Sequence, residues 1–260
     1  MSAHLNQRIV LITGANSGIG YATAKVLASK ESSPYHVILA GRSPEKLQAA
    51  QDSLVSDKTI DSSVLSTVTL DLTSIASIRA AAQHVTDKHG RLDALINNAG
   101  IYVPNKDDTL ESLEDELTRT FATNTTGPAL VTHAFAPLLR RSSNPYLVYV
   151  SSALGSLAEA SDTTRPDVGL QALGYRVSKA GMSMLAIRGH VTLGSEGVKV
   201  LAICPGLVES NLRGESEAAR TYGGLAADPA ISGRLVEDIL QGKRDGDLGK
   251  FVHKGGLYGW

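Results

Sequence analysis

Residues 8–20 read Arg8-Ile9-Val10-Leu11-Ile12-Thr13-Gly14-Ala15-Asn16-Ser17-Gly18-Ile19-Gly20, an apolar, β-branched run that gives way to three glycines. The run does not alternate with polar residues, so it reads as a strand covered on both faces, as in a parallel sheet between helical layers. Beyond it, Ile19, Ala22, Val26 and Leu27 recur at helical spacing, which makes the stretch strand, turn, helix. In that setting Gly14 permits the tight turn, Gly18 lets backbone approach a diphosphate, and Gly20 lets helix and strand pack closely. Asn16, Ser17 and Ile19 fill the turn, and the helix N-terminus faces the negative charge. The spacing Gly-x3-Gly-x-Gly differs from the commoner dinucleotide fingerprint. No Lys-Ser or Lys-Thr follows the last glycine, so it is not a P-loop.

Further along, apolar runs at His36–Ala40, Val64–Leu70, Ala94–Ile96, Tyr146–Val150 and Val198–Ile203 repeat the strand pattern, with a late one at Phe251–His253. Helical patterns fill the gaps: one opened by Pro44, one from Ser74 to about Lys88, then Leu110–Ala122, Pro128–Arg141, Leu173–Leu193 and Pro229–Leu240. The β-α alternation predicts one α/β domain over residues 1–260, a doubly wound Rossmann fold with about seven parallel strands flanked by helices. Ligands of such sheets sit at the carboxyl ends of the strands, near the switch in strand order. Residues 156–174 are polar and contain Pro166, and read as an excursion that shapes a substrate pocket.

The 260 residues are 42% apolar and 20% charged, enough for a core without staples. Lys and Arg total 25 against 26 Asp and Glu, evenly scattered, which excludes the electrostatic footprint of a nucleic-acid or anionic-membrane binder. The partner expected is a small molecule. The single cysteine, Cys204, forms no internal disulfide, and no signal-peptide pattern precedes the first strand. Both point to the cytoplasm. No apolar run nears the roughly 20 residues that span a bilayer. The seven histidines form no metal pair, so no metal is expected. Cys204 itself reads as a small buried hydrophobe.

The second strand ends Ala40-Gly41-Arg42-Ser43, without the acid that binds adenosine ribose hydroxyls and with an arginine suited to a 2'-phosphate. NADP(H) is therefore preferred over NAD(H). Asp71, with Leu72 beside it, ends the third strand. Its carboxylate reads either as an acceptor for the adenine amino group or as the N-cap of the helix near Ser74. Asn97, Asn98, Ala99 and Gly100 follow the fourth strand, where small residues let the chain pass a cofactor and asparagine ties strands together. Tyr175 and Lys179 lie four apart on a helix and share a face. A phenol titrates near 10, and a fixed ammonium is expected to lower that value towards the working range of an acid/base.

These pieces together resemble the classical short-chain dehydrogenase/reductase family, of the carbonyl reductase or ketoreductase kind, over essentially the whole chain. The likeness rests on the glycine turn, Asp71, Asn97-Asn98-Ala99-Gly100, Asn124, Ser151-Ser152, Tyr175-x3-Lys179 and Pro205-Gly206-Leu207-Val208-x-Ser210, in the family's order. It implies that Tyr175 is the acid/base and that Lys179 binds the nicotinamide ribose and tunes the phenol. Ser152 would hold the substrate oxygen, with Ser151 the runner-up, and Asn124 a relay water. Pro205, Gly206, Val208 and Ser210 would meet the cofactor at the start of a lid near 207–225 that excludes water. Tyr102 and Tyr222 read either as pocket or as packing aromatics.

The chain departs from the family in one respect: Tyr175 lies 23 positions after Ser152, where about a dozen is usual. The expected activity is hydride transfer from NADPH to a ketone or aldehyde carbonyl, or the reverse alcohol oxidation. The competing readings are an NADPH-binding regulator without turnover and an epimerase or dehydratase that uses bound cofactor transiently. The resemblance also implies a homodimer or homotetramer through the helices near Pro128–Arg141 and Leu173–Leu193, unless the insertion covers that face.

Overall fold

The computed structural model describes residues 7–29, 35–105, 107, 109–167 and 169–260. The expectation that no leader precedes the first strand falls on residues 1–6, outside that set.

The elements alternate from the start: β1 (Arg8–Thr13), α1 (Gly18–Ala28), β2 (Tyr35–Gly41), α2 (Pro44–Val55), β3 (Leu65–Thr69), α3 (Ile75–His89) and β4 (Ala94–Asn97). There follow α4 (Leu110–Phe121), α5 (Gly127–Leu139), β5 (Tyr146–Val150), α6 (Leu157–Ala160), α7 (Leu173–Thr192), β6 (Lys199–Ile203), α8 (Glu217–Thr221), α9 (Ala230–Leu240), β7 (Phe251–His253) and β8 (Gly256–Tyr258). The sheet order is β3-β2-β1-β4-β5-β6-β7-β8, parallel except for the β7–β8 pair. The eighth strand exceeds the expected seven. It is three residues long, turned back by Lys254 and Gly255, too short to carry a hydrophobic pattern of its own.

Burial of β1 on both faces explains why its sequence is continuously apolar. Ile9 and Leu11 enter one core with Val131, Phe135 and Met182, while Val10 and Ile12 enter the other with Leu27, Val236 and Ile239. Each layer of helices thus receives alternate residues of the same strand. The chain order reverses between β1 and β4, where two neighbouring strands send their following segments to opposite faces. That divergence opens a crevice at their carboxyl ends.

Two local features position the site. α2 starts at Pro44, capped by the Ser43 hydroxyl, which accepts from the Lys46 N–H. Between α4 and α5 the helix passes through one π turn, Ala122–Thr126. That turn swings Asn124 inward, where it is fully buried.

Candidate active site

A cleft of about 480 Å³ occupies the crevice. Seventeen of the residues singled out in the sequence line it: Gly14, Asn16, Ser17, Gly18, Ile19, Arg42, Asp71, Leu72, Asn98, Ala99, Gly100, Tyr102, Ser151, Tyr175, Lys179, Pro205 and Ser210. Gly20, Asn124, Ser152, Gly206 and Val208 are not on its wall.

The glycine turn has the geometry its composition suggests. Gly14 and Gly18 have φ of 66° and 54°, a region side chains seldom adopt. A Cβ at Gly20 would lie 2.5 Å from the Gly14 carbonyl oxygen and 2.6 Å from Asn98 Nδ2, so no other residue fits there. Asn98 in turn donates from Nδ2 to the Thr13 carbonyl at 2.8 Å and ties β4 to β1. Ser17 precedes α1 without capping it, and the first turn of α1 contains no acid. The N–H groups of that turn have no carboxylate or hydroxyl of their own, which suits an anionic ligand.

At the far end of β2, Arg42, Ser43 and Lys46 line the wall together. Lys46 and Ser43 were not among the expected cofactor-binding residues. Their signal was present, since Ser43-Pro44 announces a helix start and sets Lys46 one turn on from Arg42. Asp71 is no N-cap: Ser74 caps α3 by accepting from the Ser77 N–H. Asp71 instead accepts from the Thr73 hydroxyl and N–H, which with the charge of Arg42 hold its carboxyl below the usual carboxylate range.

Tyr175 and Lys179 share a face of α7, with the ammonium 5.7 Å from the phenol ring. The ammonium donates to the Val150 carbonyl at 2.7 Å. The expected acidification of Tyr175 is not what this arrangement produces. Burial pushes the phenol up to about 12, although Ser152 and then Arg213 pull the other way. Burial also brings the Lys179 ammonium down to about 8. Spacing along a helix reveals that two side chains share a face, but not how much water they lose there.

The two serines separate cleanly. Ser151 reaches the wall of the cleft, but its hydroxyl is engaged by the core: it donates to the Lys179 carbonyl and pairs with Ser183. Ser152 accepts from the Leu154 N–H and lies against the Tyr175 phenol. Asn124 accepts from the Ile101 N–H at 2.8 Å and donates to the Ile101 carbonyl and the Ser178 hydroxyl. Its side-chain amide thus ties the loop after β4 to α7. The Cys204 thiol is buried and accepts from the Ala153 N–H, and burial raises its pKa.

Two segments frame the open side. The excursion between Ser156 and Gly174 contains α6 and is pinned by Arg165, which pairs with Glu159 and Asp167. Tyr102 sits edge-on to Tyr175 at 6.1 Å and donates to the Gln171 carbonyl, joining this segment to the cleft. In the expected lid, Arg213 donates to the carbonyls of Val208, Ala219 and Arg220. Tyr222 is half exposed with φ of 49°, the one non-glycine residue in that region among those described. No cluster of potential metal ligands and no helix long and apolar enough to cross a membrane occur among the described residues.

Comparison with known proteins gives a consistent result. Residues 8–221 match the family model described as short chain dehydrogenase. The chain is 34% identical to the short-chain dehydrogenase/reductase tropE of Talaromyces stipitatus, covering 96% of this chain and 97% of that one. It is 36% identical to the short-chain dehydrogenase anuI of Penicillium roqueforti, covering 91% and 96%. Among solved structures, the NADPH-bound carbonyl reductase from chicken fatty liver superposes with a TM-score of 0.78 at 29% identity, over 98% of this chain and all of that one.

Proposed function

Because the chain belongs to the short-chain dehydrogenase family, an oxidoreductase family, we propose that it is an NADPH-dependent reductase that delivers hydride to a ketone or aldehyde carbonyl. The observation that carries this reading is one continuous cleft, with cationic Arg42 and Lys46 at one end and Tyr175 and Lys179 at the other. The glycine turn and the uncapped start of α1 suit the diphosphate of a dinucleotide. Arg42, Lys46 and Ser43 offer a guanidinium, an ammonium and a hydroxyl to a 2'-phosphate, and the carboxylate expected of an NAD site at the end of β2 is replaced by Arg42. Asp71, Leu72, Ala99, Gly100, Pro205 and Ser210 complete the cofactor's bed, and Gly206, with φ of 77°, makes the turn between Pro205 and Val208. When bound, the cofactor supplies the hydride.

The residues of this chain handle the proton. Ser152 and Tyr175 donate hydrogen bonds to the substrate oxygen, and Tyr175 releases its proton to that oxygen as negative charge develops. A phenol held at about 12 is fully protonated at neutral pH, which suits donation and hence the reductive direction. Lys179 lies close enough for its charge to favour the phenolate left behind. Asn124, whose side chain is spent on Ile101 and Ser178, contributes by holding the wall of the site. The excursion at 156–174 and the segment 207–225 exclude water from the open side. A lone buried thiol, Cys204, fits a reducing, cytoplasmic setting. Exposed apolar residues on α5 and α7 favour a homodimer or homotetramer.

The test is consumption of NADPH and of NADH against a panel of ketones, aldehydes and quinones. Turnover with NADPH in preference to NADH supports the proposal. Tight NADPH binding without oxidation by any carbonyl would favour the regulator, and isomerised or dehydrated product without net oxidation the epimerase or dehydratase.

A further inference from the structure

The helix that carries Tyr175 and Lys179 begins without a cap of its own. Ala172 occupies the capping position, and no acid stands in the first turn. An uncapped turn leaves several N–H groups without partners, a costly arrangement in a buried place. The missing acceptor comes from another helix. Glu116, in the middle of α4, turns inward and accepts from the Gly174 N–H at 2.7 Å. Glu116 is only 2% exposed. A carboxylate at such depth is retained only where specific donors meet it, and the positive end of α7 is one.

The residue it meets is fitted to it. A Cβ on Gly174 would stand 2.8 Å from both Glu116 Cγ and Thr120 Oγ1, so glycine is required where the two helices touch. Gly174 immediately precedes Tyr175 and closes the excursion that shapes the open side of the cleft. The carboxylate therefore holds the point at which that segment ends and the helix begins.

We propose that Glu116 is a positioning residue for the reaction: by accepting from the Gly174 N–H it fixes the first turn of α7, and with it where the Tyr175 phenol stands against Ser152. This rests on the reading of Tyr175 as proton donor. The contact itself is measurable without any substrate.

The experiment compares the full-length protein with Glu116→Gln, Glu116→Asp and Glu116→Ala. Gln keeps an acceptor at the same reach, Asp keeps the charge but withdraws it by one methylene, and Ala removes both. With tyrosine labelled with carbon-13 at Cζ, and Tyr175→Phe to assign the resonance, Gln leaves the Tyr175 signal and its high titration as in the wild type. Ala and, to a lesser degree, Asp broaden the signal and move the titration down towards 10 as water reaches the phenol. Turnover follows the same order: near wild type in Gln, and down by as much as about a hundredfold in Ala, with KM for the cofactor little changed. If Ala does not fold, the Asp and Gln pair decides, Asp differing from wild type and Gln not. An unchanged Tyr175 resonance and titration in Asp and Ala, accompanied only by a lower melting temperature, would overturn the proposal. A wild-type protein that turns over no carbonyl would sink the assigned activity while leaving the titration result to judge Glu116 separately.

Discussion

Replacing Lys179 by Met should make the protein more stable at neutral pH while disabling it. The ammonium is buried, and burial lowers its pKa from 10.5 to about 8. Each unit corresponds to about 1.4 kcal/mol, so holding the charge inside costs on the order of 3 kcal/mol while the folded lysine is protonated. Below about 8 both folded and unfolded chains carry the proton, and the full penalty applies. Between about 8 and 10.5 the unfolded chain keeps a proton that the folded one has released, so stability rises with pH until the penalty is gone. Met has a similar length and no charge, and its penalty is nil at every pH. Against this stands the loss of the charged Nζ donor to the buried Val150 carbonyl, worth roughly 2 kcal/mol. The net expectation at pH 7 is a variant more stable by ~1 kcal/mol, or about 2–4 °C in Tm for a domain of this size. Urea unfolding of both proteins at a series of pH values from neutral to about 10 measures the difference. The advantage of the variant should fade across this range and reverse slightly at its upper end. A variant less stable than wild type at pH 7, or a difference independent of pH, would rule out a burial penalty on the Lys179 charge.

Arg42→Ala removes a charge-assisted partner from the 2'-phosphate and should weaken NADPH binding about 10- to 100-fold, with NADH affinity little affected, as read by fluorescence titration. On α7, Val177, Met184 and Val191 are 42%, 54% and 53% exposed at seven-residue intervals, an apolar stripe. Light scattering should give a homodimer or homotetramer, and Met184→Glu, which sets like charges against each other across a two-fold interface, should give a folded monomer. An unchanged mass would remove α7 from the interface.

Much of the fold is visible in the sequence because the strands of a doubly covered sheet must be apolar throughout, and Arg8–Thr13 could be recognised before any contact was known. The strand bounded by Phe251 and His253 also stands out, but Gly256–Tyr258 does not. Its residues pair only with that neighbour, and Leu257 is exposed. The wall of the cleft was readable wherever backbone shape dictates residue type, as at Gly14, Gly18 and Gly20. It was less readable where a side chain's surroundings decide its role. The Asp71 carboxylate reads in sequence either as an acceptor for the adenine amino group or as a helix N-cap, and the position of Ser74 as the cap removes the second. Tyr175 and Lys179 were correctly brought together by helical spacing, yet their titration is governed by burial, which spacing does not report. Nothing in the local sequence marks Glu116 as inward-facing. Its burial arises from a glycine 58 residues later, beyond the reach of any local pattern.

Tyr175 is the proton donor on which the proposed reduction depends. A single-turnover measurement decides it: wild type and Tyr175→Phe, each saturated with NADPH at verified equal occupancy, mixed with a carbonyl compound that the wild type reduces, and followed by loss of nicotinamide absorbance. The phenol's proton predicts a rate for Phe lower by a factor on the order of 10² to 10⁴ with NADPH affinity unchanged. A Phe variant that reduces the compound within a few-fold of the wild-type rate would contradict it.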